Sequence, residues 1–236
     1  MHSTIQQARE VLANGRRILV FSGAGLSKAS GIPTYRDEGG LWTVKGNTRF
    51  AHRSGLQNDP KGFEAFWEQR HKELAGAEPN AAHRALAQLQ QLRPETLLVT
   101  QNIDGLLQRA GCADVVELHG SAWRKRCKGC SKKGDGLLGR CVRCGGKLRP
   151  DVVLFGENLD GVEVQRVLEA ATTVDVVLVV GSTLEVYPAA QIPERALNYG
   201  AKLILVDPNP PAAWVHAATV CLRQGAEEAL PAMLPE

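Results

Sequence analysis

The segment Arg16-Arg-Ile-Leu-Val-Phe21-Ser22-Gly23-Ala-Gly25-Leu-Ser27 decides the fold. Its first half is a short uninterrupted apolar run, the pattern of a strand buried on both faces of a parallel sheet. Its second half turns abruptly to small residues, and a glycine-rich turn at the carboxyl end of a strand is where open α/β sheets bind ligands. Glycine permits positive φ and close backbone approach, so successive N–H groups, or the start of the following helix, can receive a pyrophosphate. Taken alone, the turn also fits an ordinary glycine loop with no ligand.

Upstream, residues 5–14 read as a short amphipathic helix stopped by Asn14-Gly15. Downstream, residues 34–76 are irregular and then helical around Phe63, Phe66, Trp67 and Leu74, an insertion over the ligand site. Asn80 is placed to cap the next helix, whose Ala82, Leu86, Leu89 and Leu92 share one face. Residues 96–100, 115–118, 174–180 and 202–206 read as strands, and 159–171 and 189–198 as helices; Val152 to Phe155 leads back into the main domain. Apolar strands joined by helical crossovers predict an α/β fold with a Rossmann-like, mostly parallel sheet. The polar clusters Ser22 to Ser27, Thr100 to Asp104, Gly181 to Thr183 and Asp207 to Asn209 then share one rim of that sheet.

A second signal is independent of the first. Cys127/Cys130 and Cys141/Cys144 form two C-x2-C pairs ten residues apart. Each pair supplies two thiolates from one tight knuckle, with Gly129 and Gly145-Gly146 easing the turns, and four thiolates close a tetrahedral zinc site. With no open position for water, such a metal is structural. Two disulfides or an iron–sulfur centre are the competing readings; nothing resembling a secretory signal supports the first. Cys112 and Cys221 lack such spacing and read as small core residues.

The chain has 236 residues and a formal charge of +3. That suits one main domain with a smaller module. No apolar stretch reaches membrane-spanning length, so no membrane partner and a cytoplasmic location are expected. From Arg124 to Arg149 there are ten Lys or Arg and one acid, Asp135. Such a patch suits acidic partners or nucleic acid, or is simply a solvated surface balancing the thiolates.

In order along the chain, these motifs resemble the sirtuin family of NAD-dependent protein lysine deacylases, of bacterial or archaeal type. Gly23-Ala-Gly-Leu-Ser-Lys-Ala-Ser-Gly-Ile-Pro33-Thr-Tyr-Arg36 is similar to its first signature and Thr100-Gln-Asn-Ile-Asp-Gly-Leu106 to its second. Leu118-His119-Gly120, the cysteine pairs, Arg149-Pro-Asp-Val-Val-Leu-Phe-Gly-Glu157 and Gly181-Ser-Thr-Leu-Glu-Val-Tyr-Pro188 follow.

The resemblance implies an NAD-binding domain over 1–34, 77–119 and 156–236, a cofactor loop and helical insertion over 35–76, and a zinc module over 120–155. It implies NAD consumed as co-substrate, one structural zinc, and acylated lysine side chains as substrates. Gly23, Ala24 and Gly25 would lie against the pyrophosphate, and Arg36 and Asp37 in the loop over nicotinamide. Ile32, Asn102 and Asp104 would line the nicotinamide pocket, with Gln101 at the ribose. Ser27, Gly181, Ser182, Thr183, Asp207, Asn209 and Ala226 complete the expected cofactor set. Val153, Phe155, Gly156, Glu157 and Val186 would meet substrate. His119 is the implied general base, and Asn102 joins it as catalytic. The acyl oxygen attacks the anomeric carbon as nicotinamide leaves, His119 then helps activate a ribose hydroxyl that attacks the resulting imidate, and water completes release of lysine and O-acyl-ADP-ribose. A mono-ADP-ribosyltransferase and a non-enzymatic zinc-ribbon nucleic-acid binder are the alternatives.

Several positions depart from the family pattern. Ser182-Thr183 exchanges the usual Thr-Ser order, Asp207 stands where Asn is frequent, and Tyr35 replaces a usual Phe. A carboxylate at Asp207 should repel the 2′-phosphate of NADP. Members that remove succinyl or malonyl groups carry Tyr and Arg three residues apart in the insertion; here the pair is Trp67 and Arg70. Arg70 can fork onto an acyl carboxylate, whereas Trp67 offers only an indole N–H, so Phe66 and Trp67 also read as plain core anchors.

Overall fold

The computed structural model describes residues 2–35, 37, 40, 43, 48–135 and 139–234. In chain order its strands are β1 Ile18–Ser22, β2 Leu97–Thr100, β3 Val115–Glu117, β4 Gly120–Cys127, β5 Lys133–Asp135, β6 Leu148–Val152, β7 Val176–Val180, β8 Lys202–Val206 and β9 Val220–Leu222. The α-helices are α1 His2–Asn14, α2 Arg53–Asn58, α3 Pro60–Ala75, α4 Ala81–Leu92, α5 Leu106–Arg109, α6 Gly161–Ala170, α7 Gln191–Asn198, α8 Ala212–Val215 and α9 Ala226–Met233. The large sheet runs β3-β2-β1-β7-β8-β9 with every pairing parallel. The chain winds outward from β1 through β2 and β3, then returns to β7 on the other side, so the order reverses between β1 and β7. Loops leaving those two strands diverge in sequence and open a crevice, the usual ligand site of a doubly wound sheet.

The continuous apolar strands divide their side chains between two faces because successive residues point to opposite sides. Ile18, Val20, Leu98, Leu178, Val180, Ile204 and Val206 meet α1, α4 and α9. Leu19, Phe21, Val99, Val177, Val179, Leu203 and Leu205 meet α6 and α7 on the other face. All five residues of β1 and of β7 are buried.

The small sheet, β5-β4-β6, is antiparallel and carries the cysteines at one end. The helical insertion closes against it through Phe50, Phe63, Trp67, Val152 and Leu154, while Ile32, Leu74, Ala77, Leu106 and Ala122 tie it to the large sheet's loops.

Expected elements occur close to their predicted places, with two instructive differences. β7 begins at Val176, because the Asp175 carboxylate turns back to accept the N–H groups of Arg16 and Arg17 at 2.8 and 2.9 Å. These donors, the Arg17 N–H first, hold its carboxyl below the usual range. The edge strand β9 and helix α9 carried too little periodicity to be read from the sequence.

Leu178 is fully buried in the centre of the sheet. Leu178→Ala removes apolar contact and leaves a cavity between rigid strands, so unfolding free energy should fall by about 2–5 kcal/mol, measured as a lower urea midpoint with unchanged slope.

Candidate active site

At the β1–β7 crevice two backbones touch. Gly23 N–H donates to Val180 O at 3.0 Å and Gly25 N–H to Gly181 O at 2.9 Å. A Cβ on Gly25 would stand 2.6 Å from Gly181 Cα, and Gly181 itself has φ +58°. The glycines therefore serve close packing of the two turns. Their own N–H groups are spent within the protein, which corrects the expectation of successive free N–H donors at this turn. The 3₁₀ helix over Ala24–Ser30 starts here.

The loop after β2 is bonded into this turn. Ser22 Oγ donates to Thr100 Oγ1 at 2.9 Å, and Thr100 Oγ1 accepts the Asn102 N–H at 3.0 Å. Asn102 Nδ2 donates to Gly23 O and to Ser27 Oγ at 3.0 and 3.2 Å. Both amide hydrogens are thereby used, so what Asn102 offers a ligand is its Oδ1 acceptor. Ser27 Oγ donates to Asp104 Oδ2 at 2.6 Å, while Asp104 Oδ1 accepts the Leu106 N–H. Gln101 Nε2 donates to Ser182 Oγ at 2.9 Å. Ser182 is buried and Thr183 exposed, so the exchanged order directs the smaller hydroxyl inward.

Beneath the cluster lies a residue that the sequence reading missed. His83 is fully buried on α4, and its Nε2 stands 3.4 Å from Ser27 Oγ. Its Nδ1 accepts the Asn80 N–H at 3.2 Å in a capping box, so the neutral ring must carry its proton on Nε2 and donate to Ser27. Burial pushes its pKa down to about 4, against partial opposition from Asp104. The available signal was the histidine three residues after the Asn80 cap, on the apolar face of an amphipathic helix.

His119 follows β3 at the same rim. Its Nδ1 stands 3.0 Å from the Gln101 carbonyl, which fixes the proton on Nδ1 and leaves the Nε2 lone pair as base. Burial lowers its pKa and the Gln101 hydrogen bond raises it, with burial prevailing. The ring is therefore neutral and able to accept a proton at neutral pH.

The remaining expected residues separate by what they touch. Ile32 and Ala226 are buried in apolar clusters. Asp207, at the end of β8, accepts the Asn209 N–H at 2.8 Å, and burial raises its carboxyl pKa despite that bond and the nearby Lys28 charge. Asn209 is exposed. Asp37 accepts the Thr34 N–H and pairs with Lys28 at 3.1 Å. Arg36 lies outside the described residues.

On the substrate side, Val153 N–H donates to His119 O, tying that strand to the base. Phe155 exchanges backbone bonds with Ala51 and Arg53, a pairing with no sequence signature. Phe155 and Val186 are exposed at 44% and 37%, and Gly156 has φ +84°. Glu157 receives both Arg149 Nη2 contacts, at 2.7 and 2.9 Å, plus the Leu154 N–H. It is the brace of this segment. Trp67 is buried and its N–H donates to Phe50 O at 3.3 Å, so only its ring is left for an acyl chain. Arg70 is half-buried and paired with Glu73 at 3.0 Å.

The four cysteines of the paired motifs lie with all sulfurs within 4.8 Å of one another. Cys127 and Cys144 sulfurs are 3.4 Å apart and those of Cys130 and Cys141 3.7 Å. A tetrahedron of metal–sulfur bonds of about 2.3 Å has edges of about 3.8 Å, so the set fits a tetrahedral metal ion. Gly129 and Arg143 N–H groups point at the Cys127 and Cys141 sulfurs, the donors that steady thiolate charge.

The Sir2 family model matches residues 23–188, from the glycine turn through the loop after β7. The chain belongs to the Sir2 family. An NAD-dependent protein deacetylase of Caldivirga maquilingensis is 41% identical over 98% of this chain and 93% of its own. A Sir2 homologue solved in complex with NAD is 32% identical, with a TM-score of 0.90 over 97% of this chain and 91% of that one. A Sir2 protein solved bound to acetylated peptide is 28% identical, with a TM-score of 0.85 over 96% of this chain and 95% of that one.

His83 supplies a pH test of this arrangement. Its folded pKa lies below the ordinary 6.5, so the unfolded chain binds the extra proton as pH falls. Its contribution is complete above pH 6.5 and is lost progressively as pH drops toward 4. Urea titrations across that window should show unfolding free energy declining by up to about 1.4 kcal/mol per pH unit for this proton. His83→Gln should flatten that decline.

Proposed function

We propose that this Sir2-family enzyme is an NAD-dependent protein lysine deacylase acting mainly on acetyl-lysine. The observation that carries the reading is His119: a neutral imidazole with Nδ1 tied to a carbonyl, on the same rim as the Ser27–Asn102–Asp104 cluster. NAD supplies the ADP-ribosyl acceptor, so nicotinamide and O-acyl-ADP-ribose are the products.

The chain's own groups divide the work by position. The 3₁₀ helix start and the Gly23–Gly25 turn, pressed against Gly181, give the pyrophosphate a close backbone surface. Asn102 Oδ1 is an acceptor held rigid from the amide side, and the Ser27–Asp104 bond holds the neighbouring loop. His119 Nε2 takes a ribose hydroxyl proton while Gln101 O stabilises the charge that forms on the ring. Val153 to Glu157, a turn held by the Glu157 N–H bond to Leu154 O, offers the surface on which an acyl-lysine peptide lies, with exposed Phe155 and Val186 flanking it. Asp207, placed after β8, disfavours a 2′-phosphate and hence NADP. Trp67 and Phe66 fill the insertion core, and Arg70 is engaged by Glu73, an arrangement that favours a small neutral acyl group over a dicarboxylate.

Zinc is the metal we assign to the cysteines, in a structural role, since four thiolates leave no coordination position for a reacting atom. It would hold the end of the β5-β4-β6 sheet in shape.

With NAD and an acetylated peptide, mass spectrometry should detect nicotinamide and O-acetyl-ADP-ribose, with a succinylated peptide turned over more slowly. His119→Ala should lower kcat/KM by about 10²-fold or more while leaving the fold intact. The acidic limb of the wild-type profile should lie below the ordinary histidine range, as the lowered pKa requires, and near-normal turnover by the variant would refute the assignment.

Cys141→Ser replaces one soft ligand by oxygen. Metal analysis of anaerobically purified protein should find one zinc per chain in the wild type and less in the variant, with a lower melting temperature. Iron and sulfide in the wild type would overturn the choice of metal.

A further inference from the structure

A second cleft adjoins the active-site cluster at Gly105, next to Asp104. It is an open depression of about 580 Å³, lined by Ala75, Gly105, Gln108, Arg109, Glu117, Ser121, Trp123 and Arg124. That volume suits a small molecule, and none of these residues belongs to the cofactor or substrate sets described above. The rim, formed by Ala75, Gln108 and Arg109, is exposed, whereas Ser121 is buried and the Glu117 side chain is only 6% exposed.

The walls have a definite chemistry. Trp123 gives a fixed aromatic face: its Nε1–H donates to Asp104 O at 2.6 Å, and its ring packs so closely on Gly105 that a Cβ there would stand 2.8 Å away. The His71 ring backs it edge-on, with centroids 4.5 Å apart. Glu117, the acid of the cleft, is already bonded by Arg124. The guanidiniums are less fully used. Arg109 donates from Nη1 to Ala77 O and from Nη2 to Glu78, whose side chain is 78% exposed and well solvated. Arg124, besides bonding Glu117, reaches the buried Asp151 carboxylate through Nε at 3.6 Å. Each guanidinium has five N–H groups, so both retain donors beyond these contacts, and their side chains are 36% and 39% exposed. The cleft thus presents a flat indole beside two partly available cationic forks, with its carboxylate compensated at the base.

We propose that this cleft is a binding site for a small aromatic carboxylate, whose ring lies against Trp123 and whose anionic head takes the forks of Arg109 and Arg124. A neutral ring forgoes the charge-assisted bonds, and an aliphatic cation meets two like charges, so the aryl anion is the chemical class that uses every wall. The site adjoins the catalytic cluster through Asp104, whose carbonyl accepts the Trp123 indole N–H.

The probe is naphthalene-2-carboxylate, titrated into isotopically labelled protein with ADP-ribose at saturation to fill the cofactor crevice. The indole N–H signal of Trp123, identified by its loss in Trp123→Phe, should shift and saturate. Naphthalen-2-ylmethanol, the uncharged counterpart, should bind about tenfold or more weakly, a loss of about 1.4 kcal/mol. Arg109→Gln should weaken the carboxylate by a similar factor without affecting the alcohol. Ala75→Leu, at an exposed position, should weaken both by filling the cleft. An unmoved Trp123 signal, displacement of the probe by ADP-ribose, or carboxylate affinity unchanged from wild type in both variants would each overturn the site.

Discussion

Everything in the active site depends on how closely two backbone turns approach. Gly25 and Gly181 face each other with no room for a Cβ on either, and Gly181 occupies a left-handed conformation besides. Because β1 and β7 are adjacent but lie far apart in sequence, this contact joins the two halves of the sheet at the point where strand order reverses. The backbone bonds from Gly23 and Gly25 fasten it. A side chain at either glycine would push the turns apart and widen the crevice, and the polar groups bonded across it would lose register.

Those polar groups form a layered cluster. Ser22 and Thr100 bond at the strand ends, Asn102 and Ser27 above them, and Asp104 and His83 complete the cluster. In a site withdrawn from water, a polar atom without a partner is costly, and a satisfied network is rigid. The network achieves rigidity by directing donors inward, which leaves acceptors for a ligand: Asn102 Oδ1 and His119 Nε2. The neutral state of His83 and of His119 follows first from burial, with the Arg84 charge adding to it at His83.

The smaller module is stabilised differently. Its three-stranded sheet has little apolar area, and the cluster around Cys127, Cys141 and Leu148 is small. Buried Asp151 gathers Arg126 at 2.7 Å and Arg124 at 3.6 Å, drawing part of the basic surface into an internal ion network. The dense Lys and Arg run therefore consists of two populations: residues that compensate Asp151, Glu117 and Glu157, and exposed ones such as Lys128 and Arg143 that meet solvent.

By itself the sequence determined the strands of the large sheet other than the edge strand β9, the glycine turn, the paired cysteines and the polar clusters at strand ends, because each is written in contiguous residues. A buried parallel strand needs an apolar run, a tight approach needs glycine, and a tetrahedral thiolate set needs two knuckles. Only the tertiary structure decided which donors and acceptors are already engaged: the N–H groups of Gly23 and Gly25 and the Trp67 indole as donors, the Glu157 carboxylate as acceptor. It also revealed His83 beneath Ser27 and the pairing of Phe155 with Ala51 and Arg53. Hydrogen-bond capacity is finite, and at the glycine turn the partners that consume it come from distant segments, as His83 does for Ser27 and Val180 does for Gly23. Residue type sets what a side chain can offer; the fold sets what remains to be offered.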